Sequence, residues 1–515
     1  MNSTLPETLP DTATTTGEPV LGNPTPVVIP ALRHWAGDDG HFEVTATTRI
    51  IVDPANAPLG NQFSADLAET TGLDLVVLVE NLGADAGRDI RFILDPANHV
   101  EAGGERYERE GYTLTVTASG VVITAPTPTG LFYGSRTMLH ILAQSKQRNR
   151  IPSGTAVDWP DHEARGFILD VGRRFFTAEF IKDYIKLMSF YKLNRFQIHL
   201  NDNQIFTDNK DWTNAYAGFR LASNNPAFKG LASGDGSYSR ADWNAFEDIA
   251  ATRCVTLIPE IDGPAHAAAI IHWRPEVGHD NGKSDHLDLQ NTASTQLMKE
   301  IFSEFIPWFR SPDVNFGADE YPRHLGADFR RYYNDIAAHI RSLGKTPSAW
   351  GSFSYMGEDG IAGYDKDVVI NSWNNDWYGL EAAAADGMKF INTNDDTLYV
   401  VPFADYYHGS GLDNGVLYAD WLPHQAAGQE VCPEQIMGAM FAVWNDLVDK
   451  DYSELDVHQL IEGTFPVVAQ KTWAACSPSL PYPAFAEAAG IIGMGPGLTV
   501  VSTGSSTDTV VGTPA

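Results

Sequence analysis

The sequence predicts an α/β protein, a (β/α)8 TIM barrel preceded by a small α+β domain. Three observations predict it. Eight short β-rich runs recur between residues 166 and 444, separated by helical or looped segments, as expected for parallel strands joined by crossovers. Carboxylates, histidines and tryptophans gather at the C-terminal ends of those runs, where such a barrel builds its site. Ahead of them the β-rich runs neighbour one another instead of alternating with helices.

In chain order, residues 1–27 are rich in Pro, Gly, Ser and Thr and read as a flexible N-terminal segment. Residues 28–155 read as the α+β domain: FEVTATTRIIVD, DIRFILD and GYTLTVTASGVVITAP alternate or run apolar, and PTGLFYGSRTMLHILAQ has helical spacing. The stretch Val157-Asp158-Trp159-Pro160 marks a boundary, and residues 156–476 are assigned to the barrel. Its strands are expected at 166–171, 195–200, 256–261, 314–319, 347–350, 368–373, 389–394 and 439–444. Thr177 is placed to cap a helix whose Phe180, Tyr184, Leu187, Met188 and Tyr191 share one face. Residues 477–515 are again Pro-, Gly-, Ser- and Thr-rich and read as a linker or tail.

Composition narrows the function. The 515 residues hold 66 acidic against 35 basic side chains, a formal charge of −31, which repels nucleic-acid backbones and anionic lipid. The sequence has no apolar run long enough to span a membrane, and its first residues lack the basic and apolar regions of a signal peptide. Acidity and Thr/Ser/Pro-rich ends suit an extracellular or cell-surface protein. Three cysteines, Cys254, Cys432 and Cys476, form neither a disulfide framework nor a metal site and are expected to serve packing. No ligand spacing calls for a metal, and no cofactor is expected.

The residues at the strand ends carry the chemistry. They are Asp170 and Arg173, His199 with Asn201 and Asp202, Asp262 and His266, Asp319 with Glu320, Trp350, Trp373, Asn394 with Asp395 and Asp396, then Trp444 and Asp446. Flat aromatic walls stack on sugar rings and carboxylates accept from hydroxyls, so this lining points to a carbohydrate pocket. The sharpest signal is Asn315-Phe316-Gly317-Ala318-Asp319-Glu320-Tyr321, an apolar strand ending in two adjacent acids. Most glycosidases set two carboxyl groups ~5–9.5 Å apart across the scissile bond, a spacing that adjacent acids do not guarantee. A single acid/base suffices where the substrate's own 2-acetamido group is the nucleophile and the second carboxylate steers it.

The segments RGFILDVGRRFF, YKLNRFQIHLND, LIPEIDGPAH and FGADE resemble successive barrel motifs of glycoside hydrolase family 20, the β-N-acetylhexosaminidases, and GLFYGSRTMLHIL resembles the end of that family's N-terminal domain. The resemblance spans roughly residues 28–475. It implies that Glu320 is the general acid/base, that Asp319 orients the acetamido group and stabilises the cyclised intermediate, and that Tyr399 donates to the acetamido oxygen. It implies an aromatic box of Trp350, Trp373 and Trp444, and assigns Arg165, Asp170, His199, Asp262 and His266 to sugar-contacting or supporting positions. Three departures bear on substrate: the usual His-x-Gly-Gly-Asp-Glu begins with Asn315 and has Ala318, the usual Thr-Asp-Asp reads Asn201-Asp202-Asn203-Gln204, and the usual Trp-x-Glu ends in Asp446. The shorter Asp446, with Gln204, resembles the lacto-N-biosidase branch, in which these two residues would contact galactose. The expectation is therefore a retaining, substrate-assisted hydrolase that releases Gal-β1,3-GlcNAc from an oligosaccharide or glycoconjugate bearing β-linked N-acetylhexosamine. The alternatives are an exo-β-N-acetylhexosaminidase and a glycan-binding protein whose catalysis has decayed.

Overall fold

The computed structural model describes residues 22–80, 88–357, 359–474 and 480–501. The first domain is a seven-stranded mixed sheet in the order β1 (His34–Glu43), β7 (Arg150–Asp158), β5 (Tyr112–Thr117), β6 (Gly120–Ala125), β4 (Asp89–Leu94), β2 (Arg49–Val52), β3 (Val76–Val79). Helices α1 (Ala57–Thr71) and α3 (Pro128–Gln144) pack on it, and α2 (Gly104–Glu110) precedes β5. Thr127 caps α3 by accepting from the Gly130 N–H, with Pro128 at the first helical position where no N–H is needed. Residues 130–143 of α3 are all buried, which explains why GLFYGSRTMLHIL is apolar on more than one face. The sheet is longer than the sequence reading supposed. Strand β7 pairs with β1 as far as Val157 and with β5 as far as Asp158, so the junction lies at Trp159-Pro160.

All eight predicted barrel strands are present and parallel: β8 (Ala164–Asp170), β9 (Arg195–His199), β10 (Thr256–Gly263), β11 (Asp313–Gly317), β12 (Thr346–Trp350), β13 (Val369–Ser372), β14 (Lys389–Asn392) and β15 (Gly438–Val443). The barrel closes where β14 meets β15 at Asn392–Ala439. Helix α4 (Ala178–Phe190) is capped by Thr177, and Phe180, Tyr184, Leu187, Met188 and Tyr191 are all buried, as its periodicity required. Alternation along β8 sorts the core: Phe167 and Leu169 face the outer helices, where Phe167 lies 4.6 Å from Phe441 and 5.2 Å from Phe465. Ala164 and Ile168 point inward with Val369, Ile391, Met440 and Ala442, and this inner cluster supports Trp350, Trp373 and Tyr399 at the mouth.

Two further expectations are corrected. Residues 480–501 are not merely a tail: helix Tyr482–Ile492 buries Phe485, Ala488 and Ile492, and the backbone N–H groups of Thr499 and Val500 donate to the buried Asp183 carboxylate at 2.8 and 2.7 Å. Cys254 packs against the core, but Cys432 is exposed; Cys476 lies outside the described residues.

Candidate active site

The turn after β11 is built against steric preference. Gly317, Ala318 and Glu320 take φ of +71°, +66° and +41°, and His266 across the mouth takes +52°. Left-handed non-glycine residues cost energy and concentrate at functional sites. Here the turn is held by hydrogen bonds: Asn315 Oδ1 accepts from Gly317 N at 2.8 Å, Ala318 N donates to Gly263 O at 3.0 Å, and Ser352 Oγ donates to Ala318 O. Asn315, where the family pattern has histidine, thus shapes the turn. Only glycine fits at 317, because a Cβ would lie 1.5 Å from Asp262 Oδ1. Gly317→Ala is expected to destabilise the fold by about 2–4 kcal/mol, a clash added to the left-handed strain. Gly344→Ala, at φ +79° with nothing near its Cβ, should cost only about 1–2 kcal/mol. Urea unfolding of both variants checks the difference.

The turn presents Asp319 and Glu320 to a pocket of about 280 Å³ lined also by Arg173, His199, Asp202, Asp262, His266, the three tryptophans, Tyr399, Tyr406, Tyr407 and Asp446. Asp319 lies deeper, its side chain 16% exposed, while Glu320 is 46% exposed at the mouth. His266 Nε2 stands 3.0 Å from Glu320 Oε2 and 3.7 Å from Asp319 Oδ2, and its Nδ1 stands 3.0 Å from Asp202 Oδ1. Asp202 Oδ2 in turn meets His199 Nε2 at 2.7 Å, and His199 Nδ1 is 3.0 Å from Glu260 Oε1. Carboxylates and imidazoles therefore alternate from the barrel interior to the mouth, each ring nitrogen standing within 3.0 Å of a carboxylate oxygen. Burial opposes charge on both histidines, but the flanking carboxylates outweigh it and raise their pKa values well above the usual imidazole range.

The acids differ in consequence. Burial pushes Asp319 up to about 6, with Glu320 adding to the rise and His266 opposing it. Burial also raises Glu320, but the hydrogen bond and charge of His266 prevail and leave it below its ordinary value. Asp262 is raised well above the carboxylate range by burial and by Asp319. One oxygen each of Asp262 and Asp319 is buried without a protein partner, as is the indole N–H of Trp444. Unpaired buried acceptors and donors around a pocket mark places where a bound molecule supplies the missing partner.

The walls are fixed from behind. Trp350 Nε1 donates to Glu260 Oε1 at 2.6 Å, Gln197 Nε2 donates to Glu260 Oε2 at 2.7 Å, and Trp373 Nε1 donates to Gly351 O at 3.0 Å. Asn201 grips the end of β10, accepting from Asp262 N at 2.8 Å and donating to Asp262 O at 3.0 Å. On the far rim, the Arg173 guanidinium spans Asp202 at 2.7 Å, Asp170 at 3.1 Å and Asp446 at 3.6 Å, and Tyr406 OH donates to Asp446 Oδ2 at 3.1 Å. Tyr407 OH donates to Asp395 Oδ2 at 3.0 Å.

Ten of the thirteen residues given site roles from the resemblance line this pocket, as do Arg173 and Asp202 from the strand ends, and three of the thirteen do not. Arg165 sits at the opposite end of β8, donating to Lys192 O and His162 O and pairing with Glu110 of the first domain. Asp170 is buried behind the rim, where it holds Arg173 and accepts from Asn445 N. Gln204 turns aside, donating to Phe206 O and accepting from Tyr216 N, so it offers the pocket no contact in this geometry. Arg173, Asp202, Tyr406, Tyr407 and the supporting Glu260 complete the site. Three carboxylate–imidazole groupings bring ligand atoms within 4.8 Å: Asp170 with His199 and Asp202, His199 with Glu260 and Asp262, and Asp262 with His266 and Asp319. In each the imidazole is already engaged by carboxylates. Among the described residues no helix is long and apolar enough to cross a membrane.

Two family models match the chain: "Glycosyl hydrolase family 20, catalytic domain" over residues 162–328 and "Glycosyl hydrolase family 20, domain 2" over residues 25–159. A lacto-N-biosidase of Bifidobacterium bifidum is 23% identical over 490 residues, 88% of this chain and 40% of its own length. A beta-hexosaminidase of Akkermansia muciniphila is 26% identical over 57% of this chain and 65% of its own length. A beta-N-acetylhexosaminidase of Cellulomonas fimi is 24% identical over 85% and 88% respectively. The chain thus spans less than two thirds of the first two of these relatives. The solved beta-N-acetylhexosaminidase of Streptomyces coelicolor A3(2) superimposes with a TM-score of 0.75 at 22% identity, covering 92% of this chain and 96% of that one. At that identity the likeness establishes the fold.

Proposed function

Because this chain belongs to glycosyl hydrolase family 20, we propose that it hydrolyses β-linked N-acetylhexosaminides, with the substrate's own acetamido oxygen as nucleophile. The observation that carries this reading is the placement of Asp319 and Glu320 on one strained turn, at different depths of one aromatic-walled pocket. Glu320, at the mouth, is positioned to reach the glycosidic oxygen. Asp319, beneath it, accepts the acetamido N–H and offsets the positive charge of the oxazolinium that forms when the carbonyl oxygen attacks the anomeric carbon. Trp350, Trp373, Trp444 and Tyr399 enclose the acetyl group, where a low dielectric strengthens the Asp319 charge.

The proton for the leaving oxygen is held between His266 and Glu320. In the free protein it resides on the imidazole, as the lowered Glu320 and raised His266 imply. As negative charge builds on the leaving oxygen, Glu320 takes the His266 proton through their 3.0 Å hydrogen bond and passes it to that oxygen, which leaves His266 neutral. Glu320 then takes a proton from water attacking the oxazolinium. Two inversions give net retention.

For the released unit, the pocket of about 280 Å³ lies just below the ~300–1,000 Å³ range of ligand sites, which favours a terminal N-acetylhexosamine. The lacto-N-biosidase reading draws support from the open rim: Phe206, at 77% exposure, and Asp446 leave room beyond the first ring. The turned-away Gln204 counts against it. Rates on aryl β-GlcNAc, aryl β-GalNAc and aryl lacto-N-bioside decide between the two. Preference for the monosaccharide glycosides is expected, with the β-anomer as first product by proton NMR. A dominant lacto-N-bioside rate would reverse the specificity, and an initial α-anomer would remove the mechanism. The acidic composition and Thr/Ser/Pro-rich ends support a setting outside the cell.

A further inference from the structure

We propose that Tyr355 and Trp377, with the Arg323 guanidinium beside them, form a binding platform for the first sugar of the leaving group, an inference that rests on the reading of the pocket given above. Order around the barrel sets the direction. Arg173, Asp446 and Tyr406, which follow β8, β15 and β14, close one side of the mouth, whereas Glu320 follows β11 on the other. The leaving oxygen lies at Glu320, so the rest of the leaving group extends over the loops after β11, β12 and β13. Those loops carry the platform. Tyr355 stands in the short helix Phe353–Met356 after β12, Trp377 in Asn375–Tyr378 after β13, and Arg323 three residues beyond Glu320. The segments touch, since a Cβ on Gly326 would lie 2.3 Å from Met356 O.

The rings continue the pocket wall outward. Trp373 lines the pocket, Trp377 lies 5.6 Å from it, and Tyr355 stacks on Trp377 at 3.9 Å with 29° between planes. Tyr355 is 38% exposed, an uneconomical place for an aromatic ring unless something covers it. Arg323 is exposed, 6.0 Å from the Tyr355 ring, and among the described residues no carboxylate forms an ion pair with it, although acids outnumber bases 66 to 35. An aromatic face for sugar C–H groups beside a fork of free N–H donors for hydroxyls matches a neutral sugar ring. The pocket itself has room for little more than one ring, which leaves the next one on the rim.

The test compares kcat/KM of the full chain and of Tyr355→Ala, Trp377→Ala and Arg323→Ala on a β1,4-linked GlcNAc disaccharide and on methyl β-GlcNAc, whose leaving group has no ring to stack. The disaccharide rate is expected to fall roughly 2–10-fold per substitution, mainly through KM, with the methyl glycoside nearly unchanged. Tyr355→Trp should restore the disaccharide rate. Equal losses on both substrates, or no loss on the disaccharide while the wild type cleaves both, would overturn the platform alone. Failure of the wild type to cleave either would overturn the platform together with the functional reading. Arg323→Ala, at an exposed site without an ion pair, keeps the comparison valid if a ring substitution lowers the melting temperature.

Discussion

Replacing Glu320 by Gln is expected to lower turnover of a disaccharide or methyl glycoside by about 10²–10⁴-fold while leaving fold and ground-state binding intact. The amide fills the same space at the mouth and still meets His266, but it supplies no proton to a departing alkoxide. An aryl leaving group of low pKa departs with little protonation, so its first step should suffer far less, and its second step becomes limiting because no base activates water. Pre-steady-state kinetics with a dinitrophenyl glycoside should therefore show a burst absent from the wild type. Uniform loss on all leaving groups would assign Glu320 another role. His266 extends the argument: since burial opposes its charge and Asp202 restores it, His266→Ala should produce a smaller loss of the same leaving-group dependence.

Much of this was legible because strand ends in a parallel barrel are also site positions. The eight apolar runs needed only periodicity and order, whereas the Asp319-Glu320 pair stood out at a strand end and took its roles from the family resemblance. The assignment of Arg165 failed on direction: it and Arg173 flank the same strand, and residues at the start of a barrel strand face away from the mouth, so Arg173 is the one delivered to the pocket. Glu260 was hidden inside Thr256-Leu257-Ile258-Pro259-Glu260-Ile261, where an acid in an apolar run is explained only by its indole and imidazole partners. Tyr406 and Tyr407 come from a loop without periodicity; paired tyrosines after a strand end were the available signal. The helix Tyr482–Ile492 escaped because YPAFAEAAGII, with Glu487 its one charged residue, is apolar on nearly every side, so little amphipathic contrast marks it.

Asp319→Asn should cost about 10²–10³-fold in kcat/KM on every substrate, whatever departs, because the charge it provides acts on the ring and not on the leaving group. Asparagine can still accept from the acetamido N–H, so binding should persist while the oxazolinium loses its compensating anion. The pH profile gives a second reading of the same residue. Burial holds Asp319 near 6, so it is protonated and ineffective below that pH and ionised above it. The acid limb of kcat/KM is therefore expected to fall as pH drops through about 6, and Asp319→Asn, having no proton to lose, should flatten it. Glu320 and His266 act on the opposite limb, since loss of their shared proton removes the acid; with His266 raised well above the imidazole range, that limb lies above neutrality. Asp262, with an oxygen within 4.8 Å of one of Asp319, is raised well above the carboxylate range by burial and by Asp319 itself, so Asp262→Asn should preserve the pocket's charge and leave the acid limb where it is. An acid limb unmoved by Asp319→Asn would mean that another group controls it, and that the charge at Asp319 does not enter the rate.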